Sequence, residues 1–150
     1  MTAGEYCNRE VVIAEKSHSV RDAAQLMRNH HVGDVVVVEK NPEGAKPQGI
    51  LTDRDIVIEL LAKDVDIDNV TIGDIMSPRL ITVSEDTKLL DAIKLMRDRS
   101  IRRLIVVTET GVLAGLLSVD DIIELVAEQL SGLTKLIANE IENERQLRSS

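Results

Sequence analysis

Apolar positions along this chain change their period several times, and the changes mark its elements. In DAAQLMR at 22–28, Ala23, Leu26 and Met27 fall on one side at helical spacing, which predicts a helix continuing toward His31. Ser19 stands just before it as its N-cap. The β-branched run at 35–38 reads as a strand buried on both faces. A loop is expected over 40–48, which carries Pro42, Gly44 and Pro47. A short strand at 49–51 then leads into a second helix from about 53 to 62. The same order returns as helix 90–99, strand 104–107, turn 109–111, strand 113–117 and a helix from 119. Short strands should precede each first helix, near 11–14 and 80–83. Strands alternating with helices in short units predict an α/β (α+β) arrangement.

The second half restates the first. DAAQLMR at 22–28 comes back as DAIKLMR at 91–97, sixty-nine residues on, so the chain holds two copies of one supersecondary unit. Neither half is long enough to bury much apolar surface alone, so the copies must pack on each other. A site is then expected in pseudo-symmetric pairs, in the crevice between copies. The division read from the sequence is a first repeat over 8–63, a linker over 64–78, a second repeat over 79–128 and a helical extension over 129–150. From the end of the second repeat through that extension, Ile122, Val126, Leu130, Leu133, Ile137 and Ile141 recur every three or four residues, predicting a helix to about Leu147. Gly132 is where it would bend or break. The apolar stripe either docks back on the core or meets a partner helix in a homodimer.

Composition narrows the function. The chain has no Phe, no Trp and one Tyr, so its core is aliphatic and it has no aromatic platform for stacking bases. A net charge of −8 opposes a polyanion, although a few local cations suffice for a small phosphorylated ligand. Neither a nucleic-acid partner nor a membrane partner is expected. The single Cys7 has no intrachain disulfide partner, and no apolar leader or spanning run is visible; the expected compartment is cytoplasmic.

One signature carries chemistry, and it occurs twice: Gly49-Ile50-Leu51-Thr52-Asp53-Arg54-Asp55 and Gly115-Leu116-Leu117-Ser118-Val119-Asp120-Asp121. The hydroxyl stands at a strand-to-helix junction, where it caps the helix and shares an anion with free backbone N–H groups. The aspartate lies in the first turn, where its carboxylate accepts hydrogen bonds from a vicinal diol such as ribose. The same Ser/Thr-x-x-Asp spacing is also a helix capping box, and one isolated copy would be read as a cap. Two copies, each behind an apolar strand in a matching repeat, point to a nucleotide.

These features resemble a tandem pair of CBS domains (the cystathionine-β-synthase domain, or Bateman module). The resemblance rests on the doubled D-A-x-x-L-M-R helix, the strands at 35–38 and 104–107, and the doubled signature. The lead-in Gly73-Asp74-Ile75-Met76-Ser77-Pro78 adds to it, and the likeness spans roughly 10–128. It implies two β-α-β-β-α units about a pseudo-twofold axis, plus the extended C-terminal helix. It also implies an adenosine-containing ligand (AMP, ADP, ATP or S-adenosylmethionine) in the crevices. By position, Asp55 and Asp121 would hold ribose, and Thr52 and Ser118 would approach phosphate. Val12, Ile13, Ile81 and Thr82 would line the adenine pocket, and Arg102 and Arg103 resemble a basic pair aimed at phosphates. The first copy departs from this, with Gly33 and Asp34 in place of the basic pair, while Arg54 stands where the second copy has Asp120. The second copy has Ile105 where the family usually has a strand proline. Either the phosphates converge near the axis on Arg54, Arg102 and Arg103, or one crevice alone is used. Asp34 would repel a phosphate nearby, so unequal affinities are expected.

Other residues read as bystanders. His30 and His31 point apart on a helix and lack a third ligand, even with Cys7 or His18, and no metal site is expected. They suit a helix end instead. Cys7 has no evident base. Asp53, Asp55, Asp120 and Asp121 read as caps and ribose contacts, and magnesium would enter only with a polyphosphate ligand. No nucleophile–base pair or phosphate-cradling glycine loop appears, so no enzymatic activity and no cofactor are expected. The expected function is a stand-alone regulatory module that binds an adenine nucleotide or an S-adenosylmethionine-like molecule. It would form a homodimer and signal to an effector protein, with the C-terminal helix as output. The alternative is a constitutive dimerisation or scaffold protein with no important ligand.

Overall fold

Two three-stranded sheets of the same design form the frame. The computed structural model describes residues 1–149. In the first half β1 (Ile13–Ala14) runs parallel to β2 (Asp34–Asn41), which is antiparallel to β3 (Gly44–Thr52). In the second half β4 (Thr82–Ser84), β5 (Arg103–Val107) and β6 (Leu113–Ser118) repeat that order. Both central strands carry a bulge at the same place, between Val37 and Val38 and between Val106 and Val107. Val35 to Val38 are all buried, as a two-faced strand requires. One face packs under its own helix. The other brings Val36, Val38 and Ile105 together in a small core between the two sheets.

Each sheet is covered by an eleven-residue helix, α2 (Val20–His30) or α5 (Leu89–Arg99). The Ser19 hydroxyl oxygen accepts a hydrogen bond from the Asp22 N–H at 3.0 Å, so the expected N-cap is in place. The two helices end alike, on His31 and Ser100, each with φ 54° in the left-handed region. His30 and His31 thus stand at a helix end, as the sequence implied.

The segment over 40–48 is a hairpin rather than a loop. β2 continues to Asn41 and β3 begins at Gly44, leaving Pro42 and Glu43 as the connection. Pro47 enters the strand opposite Val38, at the bulge, where the ladder tolerates a residue with no N–H. The second helix of the first half is also irregular: α3 (Asp53–Ile56) gives way to a π-turn over Val57–Leu61, closed by the Ala62 N–H to the Val57 carbonyl.

The segments ahead of each repeat cross to the opposite half. α1 (Ala3–Tyr6) hydrogen-bonds to Glu85 and Thr87, and Ala3 is buried among Val83, Leu104 and Leu117 of the second core. α4 (Ile72–Ile75), within the 64–78 joining segment, lays Ile72 and Met76 into the first core beside Ala23, Val35 and Leu51. The crossing chains then pair with the β-strands they meet, Asn8 with Leu116 and Ser77 with Ile50. Two glycines permit this approach. A Cβ on Gly49 would lie 2.7 Å from the Ser77 carbonyl oxygen, and one on Gly115 would lie 2.8 Å from that of Asn8.

The last helix, α6 (Val119–Ser149), is continuous. Gly132 does not interrupt it, since a single interior glycine costs a helix only about 1 kcal/mol. Ile122 and Leu125 reach the core, but from Val126 onward every described residue is exposed, so the stripe does not fold back on its own domain. No helix of the chain is long and apolar enough to cross a membrane.

Candidate functional site

A crevice of about 260 Å³ opens between the halves, and its wall is built from three segments. The first repeat supplies Ile50, Thr52 and Asp55 from the end of β3 and the start of α3. The crossing lead-in supplies Ser77, Arg79 and Ile81. The second repeat supplies Ile101, Arg102, Arg103 and Ile105 at the entry to β5. The aliphatic side chains make an apolar slot, and Thr52, Asp55, Ser77 and three arginines share its wall.

Thr52 and Asp55 are locked together. The Thr52 hydroxyl oxygen accepts from the Asp55 N–H at 3.1 Å, and Asp55 Oδ2 accepts from the Thr52 N–H at 2.9 Å. This is the capping box that the spacing allowed. It does not consume the aspartate, because Oδ1 takes no hydrogen bond from the described residues. The cap instead fixes the carboxylate in the wall of the crevice.

Three arginines line the crevice, and two of them already hold carboxylates. Arg102 pairs with Asp120 at 3.4 Å, with both side chains mostly exposed. Arg103 Nε pairs with Asp34 of the first repeat. Arg79 has no carboxylate partner among the described residues. Burial pushes the Asp34 carboxyl above the ordinary carboxylate value; Arg103 opposes this, and the nearby Asp53 adds to it.

The pseudo-symmetric crevice is built differently. Ser118 Oγ donates to Asp121 Oδ2 at 2.8 Å and accepts from the Asp121 N–H at 3.1 Å, so hydroxyl and carboxylate satisfy each other. Asp121 opens onto a depression shared with Cys7, Asn8, Glu124 and Glu128, which is acidic. Val12 and Ile13 line a separate depression with Glu10 and His30. These two depressions measure about 300 and 380 Å³, no smaller than the first crevice, but neither gathers cations.

Of the residues singled out in the sequence, the structure brings Thr52, Asp55, Ile81, Arg102 and Arg103 to one cavity. It does not bring Arg54 there: Arg54, the second residue past the Thr52 cap, is exposed on α3 and lies outside the wall. Thr82 is exposed on β4 and is likewise outside it. Val12 and Ile13 are not joined to Ser118 and Asp121. Sequence reasoning missed Ser77 and Arg79 as wall residues. The signal was available, since Arg79 stands sixty-nine residues after Glu10 and so reverses the charge between copies. Cys7 is half-buried against the second core, and burial pushes its thiol up, with Arg9 opposing. No group of three or more metal-ligating side chains occurs among the described residues.

The family model described as CBS domain matches residues 3–62 and 72–128. An uncharacterized protein from Methanopyrus kandleri is 38% identical over 125 residues, which is 83% of this chain and 62% of that protein. The CBS domain-containing protein CBSX3, mitochondrial, of Arabidopsis thaliana is 34% identical over 113 residues, 74% of this chain and 54% of that one. The chain therefore spans less than two thirds of the length of these two relatives. Among solved structures, a CBS domain protein from Pyrobaculum aerophilum complexed with AMP has a TM-score of 0.71 and 28% identity, covering 81% of this chain and 89% of its own. With two matched domains on one pseudo-symmetric frame, the chain belongs to the CBS-domain family as a tandem pair.

Proposed function

We propose that this chain is a regulatory module that binds an adenosine-containing ligand in the first crevice and passes its occupancy to a partner. One observation carries the reading: Thr52 and Asp55 of one repeat share a cavity with Arg79, Arg102 and Arg103 of the lead-in and the other repeat. An adenine fits the aliphatic slot of Ile50, Ile81 and Ile105, the ribose diol meets Asp55 Oδ1, and phosphate meets Thr52 and the guanidinium groups. The AMP held by the Pyrobaculum aerophilum relative supports this choice of ligand class.

A route for the signal starts at Arg102. Its side chain holds Asp120 in the first turn of α6, and its carbonyl accepts a hydrogen bond from the Val119 N–H at 2.8 Å. A phosphate that draws Arg102 away from Asp120 acts directly on the start of α6. That helix in turn pairs with a second copy of the chain. From Ile123 to Ile141, seven apolar side chains stand roughly half or more exposed along one helix. At on the order of 100 Å² each, they offer about 700 Å² per copy, close to the ~800 Å² per partner of a stable interface.

Titration calorimetry with AMP, ADP, ATP and S-adenosylmethionine tests the reading, using Asp55→Ala and Asp121→Ala alongside the wild type. Both variants remove a cap and should melt lower by similar amounts, but only Asp55→Ala should lose the ligand, by about tenfold or more for two lost bonds to a charged group. Equal losses of binding from the two variants would remove the asymmetric site. Absence of any ligand binding would leave the scaffold reading, in which the α6 pairing is the whole function.

A further inference from the structure

Asp34 is a carboxylate set among the groups assigned to phosphate. It opens β2 directly across the ladder from Thr52, its partner in register. Its side chain is 14% exposed and is ion-paired to Arg103, which is 34% exposed, the most enclosed ion pair among the described residues. By the repeat's offset, Asp34 is the first-copy counterpart of Arg103 itself. The pair therefore joins equivalent positions of the two repeats, and Asp34 sits next to the first crevice through two of its wall residues, Arg103 and Thr52. A phosphate resting on Thr52 has this carboxylate as its next neighbour.

The charge balance follows from those positions. Three arginines line the crevice, but Asp34 answers Arg103 and Asp120 answers Arg102. Asp120 is mostly exposed and its pairing is open to solvent, so it yields at little cost. Asp34 is largely enclosed, 14% exposed, and holds Arg103 with Asp53 nearby, so its pairing yields less readily. One phosphate, carrying between one and two negative charges, is matched by Arg79 and a released Arg102. A further phosphate that reaches from Thr52 for Arg103 brings its charge toward the carboxylate already paired there, in a partly desolvated place where like charges repel strongly.

We propose that Asp34 is the specificity-determining residue of this crevice, restricting it to adenosine ligands with a single phosphate group. The proposal rests on the nucleotide reading above and adds the rule by which the site chooses among nucleotides. It makes the crevice deaf to the triphosphate not by lacking cations but by keeping Arg103 occupied.

The test compares AMP and ATP binding to the full chain, as wild type and as Asp34→Asn, by titration calorimetry. The wild type should favour AMP. In Asp34→Asn, which keeps shape and hydrogen bonding, ATP affinity should rise by about tenfold or more and AMP affinity by less than about threefold. A second measurement needs no variant: raising the salt should shrink the preference of the wild type for AMP, since the discrimination is electrostatic. An AMP-to-ATP ratio that is the same in wild type and variant, and insensitive to salt, overturns the proposal while leaving the nucleotide site intact. Failure of wild type and variant to bind either nucleotide removes the nucleotide reading and this proposal with it.

Discussion

Substituting Gly49 by alanine tests whether the crossing lead-in is both structural and part of the ligand site. The added Cβ would lie 2.7 Å from the Ser77 carbonyl oxygen and 2.7 Å from Met76 Cε. The methionine methyl is flexible and swings aside. The carbonyl belongs to the backbone bridge between Ser77 and Ile50, so relief requires the lead-in to retreat. Ordinary contact begins near 3.4 Å, and 3.4 minus 2.7 gives a retreat of 0.7 Å. Forced shifts of this kind cost about 1–3 kcal/mol. For a chain of this size that is a fall in Tm of roughly 5–10 °C. Ser77 and Arg79 move with the lead-in, so AMP affinity should drop about tenfold, the value of one weakened bond to a charged partner. Two other glycines make the control. At Gly115 a Cβ meets Cys7 Sγ at 2.5 Å and the Asn8 carbonyl oxygen at 2.8 Å, so Gly115→Ala should melt as low as Gly49→Ala yet keep AMP, because it disturbs the other crevice. At Gly132 a Cβ meets nothing within 4 Å, and Gly132→Ala should stabilise α6 by about 0.5–1 kcal/mol. Differential scanning fluorimetry and calorimetry on the three variants read both quantities. If Gly49→Ala melts with the wild type, or if Gly115→Ala loses AMP equally, the reasoning fails.

The α6 pairing predicts that Leu130→Glu with Leu133→Glu, both on exposed turns, yields a monomer by light scattering without lowering AMP affinity; a variant that stays dimeric places the interface elsewhere. Asp34 predicts a pH effect. Its carboxyl lies above the ordinary value because burial outweighs Arg103, so the folded chain binds that proton more tightly than the unfolded chain. Its contribution to stability therefore grows as pH falls toward the raised value and is lost as pH rises through it. Asparagine does not titrate, so urea unfolding should show the wild type gaining on Asp34→Asn as pH is lowered from neutral to the ordinary carboxylate value of 3.8. A constant difference across that range would mean that Arg103 compensates the burial in full.

What the sequence made legible was local. The β-branched run of β2, the Ser19 cap and the Thr52-to-Asp55 spacing each depend on residues within a turn or a strand of one another. The same locality explains why Arg102 and Arg103 stood out in the sequence, since they form a basic pair at a strand entry. The crossing of α1 and α4 was not legible, because four-residue helices have no period and their partners lie far along the chain: Ala3 packs near Val83, and Ile72 near Ala23. Pro47 and Gly44 hid the long hairpin, because a bulge that accepts proline has the composition of a loop. Arg54 lies outside the crevice wall for another reason: its charge was visible in the sequence, but the direction of a side chain within a first helical turn was not.

On the proposed function, the crossing lead-ins would decide how a ligand in this crevice acts on the whole molecule. A ligand changes an equilibrium only by binding its two states differently. The wall of this crevice is drawn from both halves, and its lead-in segment is anchored through Met76 in the first core while Ile101 packs against the second. Contacts that span Asp55 and Arg103 therefore exist at only one separation of the halves. In the unliganded protein Asp34 already makes one such contact, with the same guanidinium. A phosphate that recruits Arg79 and Arg102 adds ties without breaking that one, whereas a longer polyphosphate chain must break it to gain Arg103. Monophosphate and triphosphate would thus leave the two halves tied by different residues, and the faithful repetition of the frame is what lets a single reversed charge at its axis make that difference.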